Sequence, residues 1–91
     1  MKTTEIIISG KVQGVGYRNY AKITADKLKI YGTVRNLSNG DVKVIAQTDD
    51  VKLKQFINIL KTPQHSFMKI KSATTKEIDI DKEYDSFSIV Y

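Results

Sequence analysis

The sequence predicts an α+β fold in the order β-α-β-β-α-β, with a short closing strand. Three observations predict it. Two stretches carry apolar residues at helical spacing, β-rich runs lie before, between and after them, and an Asn39-Gly40 pair separates the two middle runs. At 91 residues the chain is expected to form one domain, 1–91, with a single modest core.

The elements follow in order. Glu5 to Val12 reads as a strand, and three successive isoleucines, Ile6 to Ile8, argue for a central one with both faces partly covered. From Tyr17 to Lys29 the period becomes helical, with Tyr17, Ala21, Ala25 (or Thr24) and Leu28 on one face. Ile30 to Leu37 is a second strand. Asn39-Gly40 then signals a tight reversal that uses positive φ angles, and Val42 to Ala46 returns as a third strand. Thr48, Asp49 and Asp50 supply a cap and first-turn acids for a helix whose stripe is Leu53, Phe56, Ile57 and Leu60. It stops before Pro63, the single proline. A strand from about Met68 to Thr75, a solvated acidic loop from Asp79 to Asp85, and alternating Phe87, Ile89 and Tyr91 complete the chain. The order is that of a ferredoxin-like sandwich: two right-handed split β-α-β units, an antiparallel sheet, and both helices on one face.

Composition narrows the chemistry. The chain contains no cysteine, so disulfides and thiolate metal sites are excluded, in keeping with a reducing compartment. No apolar stretch approaches the roughly 20 residues of a membrane-spanning helix, and Met1 to Glu5 lacks the features of a signal peptide. A cytoplasmic protein with no membrane partner is expected. The net charge of +5 favours anionic ligands. Thirteen lysines are scattered along the chain, whereas the arginines are only Arg18 and Arg35. Arg18 stands beside a glycine-rich turn, where a planar guanidinium grips two phosphate oxygens as lysine cannot. Counting alone leaves it equally readable as a surface ion-pair residue.

That turn, Gly10 to Arg18, joins the first strand to the first helix. A strand-to-helix turn rich in glycine converges backbone N–H groups and the positive helix terminus on one point, which suits a phosphate. It is neither a P-loop, lacking Gly-Lys-Ser/Thr, nor a dinucleotide fingerprint, lacking a third glycine. His65 is the lone histidine and reads as structural or solvated, because metal and triad sites need partners that are missing. Arg35 and Asn36 are neighbours in a strand and must point to opposite faces, so only one can face the turn. Asn36 can accept from a water and donate to a substrate oxygen. Spacing alone also allows an Asn that merely closes the hairpin.

These residues resemble a known family. Gly10-Lys11-Val12-Gln13-Gly14-Val15-Gly16-Tyr17-Arg18 is similar to the acylphosphatase signature, Gly-x-Val-Gln-Gly-Val-x-Phe/Tyr-Arg. Gly32-Thr33-Val34-Arg35-Asn36, followed by Asn39-Gly40-Asp41-Val42, resembles the second motif, and Phe87 to Tyr91 resembles the family's C-terminus. Departures are mild: Thr33 stands where an aromatic is common, Thr48 where Gly is frequent, and Thr62 to Ser66 follows the usual loop loosely. They bear on substrate preference.

The resemblance implies hydrolysis of a small-molecule acyl phosphate to a carboxylate and inorganic phosphate. Arg18 would bind the phosphoryl group with the backbone of Gly14, Val15, Gly16, Tyr17 and Arg18, and Asn36 would position the water. The leaving carboxylate has a conjugate acid of pKa about 4, so departure needs no general acid. No cofactor, no metal and a monomeric enzyme are expected. The competing expectation is a single-stranded RNA-binding module, which shares this topology. That module needs aromatics on its central strands, and Val42 to Gln47 contains none, so a nucleic-acid partner is not expected. Acylphosphatase-like domains also occur within larger hydrogenase-maturation proteins, but a chain this short is expected to be the stand-alone enzyme.

Overall fold

The structure, a computed structural model, describes residues 2–91. Seven elements run β1 (Lys2–Lys11), α1 (Tyr17–Leu28), β2 (Tyr31–Asn36), β3 (Val42–Thr48), α2 (Asp50–Leu60), β4 (Lys69–Ile78) and β5 (Phe87–Ile89). The sheet order is β4-β1-β3-β2-β5. β1 is central, as its isoleucines require: Ile6 and Ile8 are fully buried, and Ile7 points to the opposite, partly open face.

The antiparallel sheet expected of the β-α-β-β-α-β order is what β1 to β4 form, and the closing strand, whose direction the sequence left open, departs from it. The first four strands pair antiparallel, but β5 pairs parallel with β2, Gly32 facing Phe87 and Val34 facing Ile89. The cause is directional. β2 runs opposite to β4, and a single reversal after β4 sends β5 along β2. The acidic loop that makes this reversal is mostly exposed, yet it is tied to β3. Buried Gln47 donates to the Lys82 carbonyl at 2.6 Å and accepts from the Tyr84 N–H at 2.8 Å.

α1 buries Tyr17, Ala21, Thr24 and Ala25, while α2 buries Phe56 and Leu60. Asp49 caps α2 by accepting from the Lys52 N–H at 2.8 Å, and Thr48 is instead the last residue of β3. Phe56 meets Phe87 edge-to-face at 6.0 Å, which fastens β5 to the helical layer. Tyr17 donates its hydroxyl to the Leu60 carbonyl at 2.7 Å, and burial pushes its pKa well above the ordinary tyrosine range. The start of α1 is therefore anchored to the end of α2.

Strand ends also differ from expectation. β1 begins at Lys2, because Thr3 and Thr4 are buried between β3 and β4, and β4 reaches Ile78. In the β2–β3 hairpin, Leu37 and Asp41 close a three-residue loop through Leu37 N–H to Asp41 O at 2.8 Å. Positive φ occurs at Gly40 (98°) but not at Asn39, whose Oδ1 instead accepts from the Asp41 N–H at 3.0 Å.

Candidate active site

The site begins where β1 gives way to α1. Gly10 has φ 133° beside a bulge in the β1–β4 pairing, and an added Cβ would strike the Lys69 carbonyl oxygen. Beyond it the chain enters the turn. Gly14 (φ 73°) and Gly16 (φ 83°) adopt left-handed conformations that suit glycine. Open space surrounds the position of a Cβ at either. Gly16 caps α1 with no side-chain hydrogen bond to the first turn, and that turn carries no acidic residue. The first helical N–H groups have no intrahelical acceptor, and the positive dipole end is unscreened by any carboxylate of that turn.

A pocket of about 230 Å³ opens at this helix terminus. Gly14, Gly16, Tyr17 and Arg18 line one side, with Asn19 beside them. Val15 does not line it. Its side chain packs against the core, and its carbonyl accepts from the His65 ring at 3.0 Å. The Arg18 guanidinium lies over the exposed Tyr91 ring at 4.8 Å, a contact worth about 0.5–1 kcal/mol in water. Among the described residues Arg18 makes no salt bridge.

Asn36 and Ile89 line the pocket from the sheet. Strand parity places Asn36 on the face of Val34, which is fully buried under the helices, whereas Arg35 is exposed on the open face. The Asn36 Oδ1 is buried and has no hydrogen-bond partner within the protein. A buried acceptor of this kind costs about 1–3 kcal/mol unless something donates to it. The pocket thus brings together a helix terminus with unpaired donors, one guanidinium without a salt bridge among the described residues and one unpaired acceptor.

The family model described as Acylphosphatase matches residues 4–89. The chain belongs to the acylphosphatase family. An acylphosphatase of Ligilactobacillus salivarius is 43% identical over the full length of both chains. One from Helicobacter hepaticus is 40% identical, covering 98% of this chain and 97% of its own. The crystal structure of acylphosphatase from Bacillus subtilis superposes with a TM-score of 0.92 at 34% identity, covering both chains completely. The mixed five-stranded sheet with two helices is thus the acylphosphatase form of the ferredoxin-like fold.

The contacts of two residues around this pocket were not legible in the sequence. Gln13 donates from Nε2 to the Leu37 carbonyl at 2.7 Å and to the Asp41 carbonyl at 2.8 Å. His65, expected to be structural or solvated, is an exposed residue that contacts the turn. Its Nδ1 accepts from the Phe67 N–H at 3.2 Å, so the neutral ring carries its proton on Nε2 and donates to Val15. No spacing rule links residue 13 to 37 or residue 65 to 15. Among the described residues no cluster of His, Cys, Asp or Glu could hold a metal, and no helix is long and apolar enough to cross a membrane.

Proposed function

We propose that the chain hydrolyses acyl phosphates by in-line attack of a water on a phosphoryl group held at the start of α1. The single observation that carries this reading is the buried, unpartnered Asn36 Oδ1 sharing a pocket with Arg18 and the uncapped helix terminus. Backbone N–H groups of the 14–18 turn would take the phosphoryl oxygens, and the Arg18 fork would neutralise their charge. A water donating one hydrogen to Asn36 Oδ1 turns a lone pair toward phosphorus. Its oxygen bonds to phosphorus as the bond to the acyl oxygen breaks, and the electron pair leaves with the carboxylate. One proton of the water passes to a phosphoryl oxygen, giving inorganic phosphate without a covalent enzyme intermediate.

Catalysis here is charge stabilisation plus alignment. The leaving group suits that economy, since a carboxylate departs unprotonated while an alkoxide needs a proton or a metal. Exchanging the cation–π contact with Tyr91 for a bidentate phosphate contact strengthens Arg18's interactions as substrate enters. The test is continuous hydrolysis of benzoyl phosphate with EDTA present, with Arg18→Ala as control. Turnover that survives chelation and disappears in the variant supports the reading. Wild-type turnover by Arg18→Ala would remove the guanidinium from the mechanism.

A further inference from the structure

We propose that Gln13 is a positioning residue for this reaction, its carboxamide setting the separation between the anion-binding turn and Asn36. The inference rests on the reading of Asn36 as the water-holding residue. The β1–β3 ladder ends at Ile8 paired with Val42, so the hairpin tip from Leu37 to Asp41 projects beyond the last sheet pairing with β1. The turn leaves the sheet at the same end, since β1 stops at Lys11. Among the described residues, the hydrogen bonds that join tip to turn are the two from Gln13 Nε2, at 2.7 Å to Leu37 O and 2.8 Å to Asp41 O.

Both hydrogens of that amide are spent on one rigid unit, because Leu37 and Asp41 are themselves bonded across the loop mouth at 2.8 Å. The two acceptors form a fork that fixes the hairpin in direction as well as distance. Leu37 adjoins Asn36 and Gln13 adjoins Gly14. Beyond the β1–β3–β2 ladder, the link from turn to hairpin tip therefore runs through one half-buried side chain. An error there displaces Asn36 relative to phosphorus while leaving the turn's donors and Arg18 intact. In-line attack is steep in geometry: a misplacement of about 1 Å can cost on the order of 10²-fold.

Gln13→Met keeps the length and removes both donors, and Gln13→Glu keeps the shape but turns an acceptor toward the two carbonyls. Each is expected to lower kcat for benzoyl phosphate by about tenfold or more, with the competitive inhibition constant of inorganic phosphate within about twofold of wild type. In an Asn36→Ala background, Gln13→Met should cost less than about twofold, since the group it positions is gone. A kcat within twofold of wild type in a folded Gln13→Met, with Asn36→Ala impaired, overturns the clamp and leaves the proposed function standing. Wild-type turnover by Asn36→Ala overturns both. An equal rise in the phosphate constant, or a full tenfold loss persisting without Asn36, assigns Gln13 to the fold rather than to positioning. Should neither variant fold, couplings across the hydrogen bonds between Gln13 Nε2 and the Leu37 and Asp41 carbonyl carbons can be measured by NMR in the wild-type protein. Their absence would sink the proposal.

Discussion

The two walls of the pocket are made in opposite ways. The turn wall is local: Gly14 to Arg18 are consecutive, and two left-handed glycines lead straight into a helix whose first N–H groups have no intrahelical acceptor. The hairpin wall is a product of the sheet. Asn36 faces the pocket through the parity of β2, through its pairing with Val42, and through β1, whose Ile8 pairs with Val42 on the other side. A short segment can specify such a turn almost alone. Holding an acceptor opposite it requires the whole sheet and a fastening between its parts.

Substitutions can break this comparison from either side. Arg18→Ala should have the largest effect, lowering kcat/KM for benzoyl phosphate by at least about 10³-fold, the scale of arginine's contribution in phosphoryl transfer, and weakening competitive inhibition by phosphate. If phosphate inhibition survived unchanged, the turn would bind its anion without the guanidinium. Asn36→Ala should cut kcat by about 10²-fold while KM moves less, as when one positioned polar group is removed. A rise in KM with kcat preserved would make Asn36 a binding residue, and both walls would then do the same work.

The same division decides what could be read in the sequence. Element order, the stripe of α1, the capping signal at Thr48 to Asp50 and the glycine turn all rest on contacts within a few residues, and the structure reproduces them, with Asp49 as the cap. Parity alone separated Asn36 from Arg35, because a period of two needs no tertiary information. The direction of β5 was left open because β-alternation in Phe87 to Ile89 is the same in parallel and antiparallel strands. The bond to the Lys82 carbonyl from Gln47 was missed because it joins a strand to a loop 35 residues away. The partners of Gln13 and His65 were missed for a related reason, since they lie 24 and 50 residues distant.

The glycines sharpen the comparison by separating function from stability. Gly16→Ala places a Cβ in open space at φ 83°, so its strain is modest, about 1–2 kcal/mol. It should raise the phosphate inhibition constant severalfold while the protein still unfolds cooperatively. Gly32 has φ 150°, and a Cβ there runs into the Ile45 carbonyl oxygen, where no flexible side chain can give way. Gly32→Ala should thus be the more destabilising of the two, which thermal melts would show. Equal losses of stability would mean the turn is packed as tightly as the sheet.

The smallest effect discriminates most finely. In a trans peptide the C=O and N–H point in opposite directions, and the described chain has no cis bond. A Val15 carbonyl held by the His65 ring therefore turns the Gly16 N–H away from His65. Gly16 itself lines the pocket. Losing that exposed bond should weaken phosphate by about threefold, near the low end of a net hydrogen bond of about 0.5–1.5 kcal/mol. His65→Ala should accordingly raise the phosphate inhibition constant about threefold and leave kcat within about twofold, the reverse of the pattern expected for Gln13. His65→Gln, whose amide can still donate to Val15, should recover most of the affinity. If His65→Ala moved kcat as far as the phosphate constant, the two walls could not be tuned separately, and the turn would be setting the position of the water as well as that of the anion.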